Sequence, residues 1–325
     1  MIICVTPNVA VDRTYVVPTV QLGAVLRSQQ TIVAAGGKGL NVARVAATLG
    51  EETLVMGILG GRSGALVAEL AAKEELPARW SWADGETRNC AILVGEDDSP
   101  ETVINDRGGQ VRTAEWLQFL QDIVDAARGE FAGAESDTAA PTPPLPHTPA
   151  TAICICGSLP PGAPPYAPAD LIEALAATET PVWIDASGIA LAHAIDARPI
   201  GIKINSDEAG QLLGRTLTYI DDIHDAAHTL RQKDIDSVII TLGARGAVLH
   251  SEQGEYHLRA PVVESVSAVG SGDAFLAGFL VAKARHQPDQ TALAWGIAAG
   301  AANAMLPGGG ILARADFEDI LAELQ

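Results

Sequence analysis

The sequence predicts an α/β fold: a mostly parallel central sheet with helices on both faces, carrying a second, much smaller sheet. Short apolar runs of strand length alternate with helical patterns along most of the chain, the signature of repeated βαβ units. Polar and glycine-rich motifs fall just after the apolar runs, where open α/β sheets bind ligands. With 325 residues and 48% hydrophobic content, there is enough material for one large core.

Taken in order, Ile2–Val5 reads as the first strand, and Gly39–Leu49 as a helix closed by Gly50, a C-terminal signal. Thr53–Ile58 follows as a strand and Arg62–Lys73 as a helix. Glu115–Ala127 has apolar residues at helical spacing. Ile153–Cys156, Val182–Asp185, Gly201–Ile204 and Val238–Leu242 are short apolar strands with helical segments between them. Ala274–Ala284 is apolar and built of small residues, hence a buried helix. Trp80 and Trp82 alternate as in a strand.

Two regions break the alternation. Val9–Val33 and Cys90–Asp106 look like strands without a crossover helix, so the expectation is a small antiparallel sheet projecting from the main domain. Residues 129–150 are acidic and then Pro-rich, a composition that neither fills a core nor forms a helix, and read as a mobile surface loop. Alternation resumes after it, so residues 1–325 are expected to form a single domain.

The net charge of −19 at pH 7, from 40 acidic and 21 basic residues, argues against nucleic-acid and anionic-membrane partners. An anionic ligand would need local cations. Only five lysines exist, and Lys38 and Lys203 stand inside glycine- or asparagine-containing motifs. Cys4, Cys90, Cys154 and Cys156 read as buried reduced thiols, since no second ligand pair stands at zinc spacing. The N-terminus reads as a strand rather than a signal peptide, and no run is long enough to span a bilayer; a cytoplasmic protein is expected.

The most informative motif is Gly270-Ser271-Gly272-Asp273, just before the apolar helix. A glycine turn opening a helix aims free N–H groups at one spot, where the helix dipole favours negative charge. An aspartate there is costly unless it takes a proton beside a phosphate; the plain alternative is an N-cap. Ala35-Gly36-Gly37-Lys38-Gly39-Leu40-Asn41 opens another helix, and is not a P-loop because Gly39 follows the lysine. Asp12 and Asn41 suit chelation of vicinal hydroxyls, with a turn aspartate as the plain alternative. Asn205 and Glu208 lie on one helical face and suit Mg²⁺, directly or through water; a capping box explains them equally well. Thr241-Leu-Gly243-Ala-Arg-Gly246 covers a nucleotide or simply turns a hairpin. His224 and His228 are four apart on a helix, but lack a third ligand and have acidic neighbours, so they read as a solvated face.

Six motifs then agree in order and spacing: Asn8…Asp12, Gly36-Gly37-Lys38-Gly39-x-Asn41, Gly157-Ser158-Leu159-Pro160, Lys203-x-Asn205-x-x-Glu208, Thr241-Leu242-Gly243-x-x-Gly246 and Gly270-x-Gly272-Asp273. Together they resemble the ribokinase-like (PfkB-type) carbohydrate kinases over nearly the whole chain. The stretches at Lys38 and at Gly85-Glu86-Thr87-Arg88-Asn89-Cys90 resemble most the branch of 1-phosphofructokinase and tagatose-6-phosphate kinase.

The resemblance implies a three-layer fold with a β lid from about 9–33 and 88–107, ATP and Mg²⁺ as cofactors, and a homodimer paired through the lid. It implies Asp273 as general base, with the amides of Gly270, Ser271, Gly272 and Asp273 as an anion hole. It gives Asp12, Gly36, Gly37, Asn41 and Ser158 to the sugar, and Lys38, Arg88 and Arg27 to the sugar's phosphate. It gives Lys203, Asn205, Thr241, Gly243 and Gly246 to the nucleotide, and Asn205 and Glu208 to the metal. The favoured reaction is phosphorylation of fructose 1-phosphate at its 6-hydroxyl; the alternatives are tagatose 6-phosphate, fructose 6-phosphate or another sugar or nucleoside as acceptor, and, in another class, a non-catalytic sugar- or nucleotide-binding regulator. Ile204, Ser271 and Asp106-Arg107-Gly108-Gly109 depart from the family's usual residues, the last leaving that edge's part in sugar selection open.

Overall fold

The computed structural model describes residues 1–97, 101–130, 143–146 and 148–325. Of the segment 129–150, residues 131–142 and 147 lie outside them. The first half runs β1 (Ile2–Thr6), β2 (Ala10–Val17), β3 (Gln30–Gly36), α1 (Lys38–Thr48), β4 (Thr53–Leu59), α2 (Gly61–Lys73), β5 (Ala78–Trp82), β6 (Arg88–Gly95), β7 (Thr102–Asn105) and α3 (Thr113–Ala127). Then come β8 (Ala152–Cys156), α4 (Ala167–Leu175), β9 (Val182–Asp185), α5 (Gly188–Asp196), β10 (Gly201–Asn205), α6 (Ser206–Leu213) and α7 (Ile220–Arg231). The chain ends with β11 (Ser237–Thr241), β12 (Ala247–Ser251), β13 (Gly254–Leu258), α8 (Ser271–Ala284), α9 (Asp289–Ala304) and α10 (Arg314–Leu324).

The main sheet has nine strands in the order β13-β12-β11-β10-β9-β8-β1-β4-β5. The strands from β11 to β5 are parallel; β12 and β13 close one edge antiparallel. Strand alternation divides the core in two. Ile2 and Cys4 face one side with α1, α2, α8, α9 and α10. Ile3 and Val5 face the other, with α3, α4, α5, α6 and α7. This is the three-layer arrangement the sequence predicts. All four cysteines are buried and unpaired, as expected. Trp80 packs against the core, while Trp82 is partly exposed.

The small sheet corrects one expectation. Its order is β3-β2-β6-β7, and β2 pairs with β6 in parallel, so it is mixed rather than antiparallel. The reason is topological: α1, β4, α2 and β5 carry the chain through the main domain between β3 and β6, and such an excursion permits a parallel return.

α8 is buried from Asp273 to Ala282, and its small residues let α9 approach closely. A Cβ built on Gly278 would lie 2.5 Å from the Trp295 carbonyl oxygen and 2.8 Å from the Ala299 Cβ. In an exposed helix Gly→Ala would gain about 1 kcal/mol. Here overpacking of about 1–3 kcal/mol opposes it. Gly278→Ala is expected to lower the urea midpoint; a raised midpoint would show that α9 can move aside.

Candidate active site

The carboxyl ends of β1, β8, β9, β10 and β11 meet the N-termini of α1 and α8 and the underside of the small sheet. They enclose a cleft of about 1070 Å³ lined by Asp12, Gly37, Lys38, Asn41, Arg88, Ser158, Lys203, Asn205, Glu208, Thr241, Gly243 and the Gly270–Asp273 turn, among others. An apolar slot of about 370 Å³ adjoins it and shares Thr241, Gly243, Ala268, Ser271 and Gly272; Gly246, Ala260, Val263, Phe275 and Ile297 are among its other walls.

Asp273 is the third residue of α8, not its cap. Gly270 occupies the N-cap position with φ 77°, and no side chain caps the helix. That left-handed backbone favours glycine, and the site is crowded as well: a Cβ there would come within 2.5 Å of the Gly309 Cα. The first turn leaves the amides of Gly272 and Asp273 without intrahelical acceptors. The Ser271 amide instead donates to the Ala268 carbonyl at 3.2 Å, closing the turn. Lys203 adds positive charge here, since a Cβ on Gly272 would sit 2.8 Å from its Nζ.

The Asp273 carboxylate is 6% exposed and accepts a 2.8 Å hydrogen bond from Asn41 Nδ2. Burial, with Asp185 adding negative charge, pushes its pKa up to about 6 against the pull of Lys38, Lys203 and Asn41. Asn41 is itself held by a residue the sequence reading passed over. Arg44 Nη1 donates to Asn41 Oδ1 at 3.0 Å and to the Gly309 carbonyl at 3.2 Å. Nη2 reaches the Ala35 carbonyl at 2.8 Å, and Glu74 pairs with the guanidinium. A guanidinium only donates, so it fixes the Asn41 oxygen on its own side and turns the amide N–H towards Asp273. Asn303 of α9 steadies the neighbouring turns, donating to the Val269 carbonyl at 2.9 Å and accepting from the Ile311 amide at 3.0 Å.

Asp185 was also missed as a site residue, although its place at the end of an apolar strand marked it. It is fully buried between Lys38 Nζ at 2.6 Å and Lys203 Nζ at 2.7 Å. Burial alone would raise its pKa; Lys203 and Lys38 override that and hold it below the usual carboxylate range. Burial works against the Lys38 charge too, but Asp185 and then Asp273 hold that ammonium protonated, well above its ordinary range.

Asp12, on β2, faces the cleft. Its Gly36 neighbour has no room for a side chain, because a Cβ would overlap the Asp12 carboxylate at 2.1 Å. Burial raises the Asp12 pKa, opposed by Arg88 and Arg44. Arg88 spans the floor of the lid, donating to the Asn8 carbonyl at 3.1 Å and the Asp106 carbonyl at 3.4 Å. Arg107, a second cation, is exposed on the same wall. Asn8 ties the wall together, donating to the Arg107 carbonyl and to Ser158 Oγ at 3.2 Å.

Asn205 and Glu208 form the capping box: each side chain accepts from the other's backbone amide, at 2.8 and 2.9 Å. Both nevertheless line the cleft. Likewise Gly243 and Gly246 do turn a hairpin, between β11 and β12, while lining the apolar slot. Arg27 is not brought to the cleft. It lies exposed in the connection between β2 and β3 and is not among the residues that line the cleft.

The family model of the "pfkB family carbohydrate kinase" matches residues 5–314. The tagatose-6-phosphate kinase of Staphylococcus epidermidis is 30% identical over 100% of this chain and 99% of its own. The 1-phosphofructokinase of Haloferax volcanii is 31% identical over 99% of this chain and 95% of its own. The solved structure of Escherichia coli phosphofructokinase-2 in complex with fructose-6-phosphate superposes with a TM-score of 0.85 at 25% identity, covering 99% of this chain and 98% of that one. A family match over most of the chain and end-to-end likeness to these enzymes lead to one conclusion: the chain belongs to the pfkB family of carbohydrate kinases.

Proposed function

We propose that the protein transfers the γ-phosphoryl group of ATP to a hydroxyl of a sugar phosphate, with fructose 1-phosphate the favoured acceptor and fructose 1,6-bisphosphate the product. The observation that carries this reading is Asp273, ionised at neutral pH yet basic enough to take a proton, placed beside free amides and Lys203.

The sugar sits between Asp12, Asn41 and Ser158, with its own phosphate towards Lys38, Arg88 and Arg107. The adenine fits the apolar slot, its phosphates running past Gly243 towards Lys203. As the sugar hydroxyl attacks the γ-phosphorus, its proton passes to Asp273. The bond from phosphorus to the β-phosphate bridging oxygen breaks, and its electrons leave with ADP. The Gly272 and Asp273 amides and Lys203 receive the developing charge.

Mg²⁺ fits Asn205 and Glu208, directly or through water: their oxygens are hard donors, and each keeps a lone pair beyond the capping box. Bound there, Mg²⁺ would neutralise charge on the β- and γ-phosphates. Closure of the small sheet would keep water from the γ-phosphate. The lid's exposed Ile104, on the strand face away from the cleft-lining Val103, supports pairing of lids between two copies.

An ATP-coupled assay across fructose 1-phosphate, tagatose 6-phosphate, fructose 6-phosphate and the free sugars tests the reading. The phosphorylated acceptor should exceed its free sugar in kcat/KM. Arg88→Ala should remove roughly ten- to hundred-fold of that advantage, the value of one or two charged hydrogen bonds. Equal kcat/KM for the phosphorylated and free sugars would remove Lys38 and Arg88 from phosphate recognition.

A further inference from the structure

The pair His224 and His228 lacks a third ligand in the sequence, and in the fold His224 meets a different set of donors. β12 and β13 pair His250 with Glu255 and Val248 with His257. Cross-strand partners share a face, as do alternate residues, so His250, Glu255 and His257 stand on one face of the sheet edge. α7 covers that face, for Val248 packs in the same cluster as its Ile223, Ala226, Ala227 and Leu230. Four of the chain's seven histidines thereby gather at one edge.

His224 Nδ1 lies 2.8 Å from His250 Nε2, and donor atoms of His224, His250 and Glu255 all fall within 4.8 Å of one another. The His257 ring stands 6.3 Å from that of His224, edge on. Its Nε2 is buried without a hydrogen-bond partner among the described residues, so a hydrogen bond between His224 and His250 alone leaves this nitrogen unexplained.

We propose that His224, His250 and Glu255 form a binding site for a zinc-class divalent transition metal, with His257 or water in the fourth position, pinning α7 to the β12–β13 hairpin. Two imidazoles and a carboxylate suit Zn²⁺ rather than Mg²⁺ or Ca²⁺. Nitrogens bound at about 2.0–2.1 Å to a tetrahedral ion stand about 3.3 Å apart, so the two rings need part by only about half an ångström. His224 is half-buried and the Glu255 side chain is 60% exposed, so both have room to adjust. His250 pairs with Val238, at the opposite end of β11 from Thr241, so the site is separate from the phosphoryl-transfer cleft.

The test is a Co²⁺ titration of the chelator-treated full chain without nucleotide, followed by visible d–d absorption and by displacement with Zn²⁺. One equivalent of tetrahedral-type Co²⁺ is expected. His224→Ala and Glu255→Gln should each weaken binding by at least about tenfold, and His193→Ala should not. Zn²⁺ should raise the Tm of the wild type and not of His224→Ala. Failure to bind Co²⁺, or binding that survives both substitutions because it resides at Asp273 and Glu208, overturns the proposal. Glu255 is exposed, so Glu255→Gln keeps the test decisive if His224→Ala folds poorly.

Discussion

Asp273→Asn is expected to lower kcat by roughly two to four orders of magnitude while leaving ATP binding largely intact, the contribution of a well-placed general base. The substitution keeps shape and the Asn41 hydrogen bond and removes only the proton acceptor. The wild type should also show a matching pH profile. With the Asp273 pKa pushed up to about 6, kcat/KM should climb with unit slope below that pH and level off above it. Asp273→Asn should lack this limb. Linkage gives a second readout. The folded pKa lies above the ordinary carboxylate value of 3.8, so this group favours folding most at low pH and its contribution is lost as pH rises towards about 6. The asparagine variant should therefore be as stable as the wild type or more so at neutral pH. Near-wild-type turnover in Asp273→Asn would sink the base assignment.

Asp185→Asn is expected to cost about 3–5 kcal/mol of stability, because it strips the counter-charge from buried ammonium groups. The loss falls unequally. The Lys38 side chain is 38% exposed and can turn to the cleft, whereas Lys203 is 5% exposed and cannot. Urea denaturation of the variant should show a much lower midpoint, and Asp185→Asn combined with Lys203→Met should recover part of it. The pH dependence runs opposite to that of Asp273. Asp185 is held below 3.8 when folded, so its stabilisation is complete above that pH and is lost as pH falls below it. The variant's acid limb should be flatter. An unchanged midpoint would mean that water already solvates Lys203.

Much of this architecture was written in hydrophobic period. Ile2–Thr6, Ala152–Cys156 and Ser237–Thr241 are apolar because strands buried on both faces have no solvent side to mark, and they were legible for that reason. The Gly270–Asp273 turn was legible because a glycine pair opening an apolar helix has few uses. The parallel pairing of β2 with β6 was not legible, since neither strand encodes its partner's direction. Arg44 was hidden for a similar reason. A single arginine on an amphipathic helix looks solvated until Asn41, Gly309 and Glu74 are brought around it.

Asn205 and Glu208 show that two readings of one motif need not compete: the capping box orients the same oxygens that face the cleft.

By itself the sequence determined the layered sheet and the turn that carries Asp273, because backbone conformation and periodicity are local properties. Only the tertiary structure decided what Asp273 is. Its raised pKa comes from burial and from Asp185, and its orientation from Asn41 and Arg44. Charge, desolvation and contact act through space, and the sequence separates Asp273 from Asn41 by 232 residues.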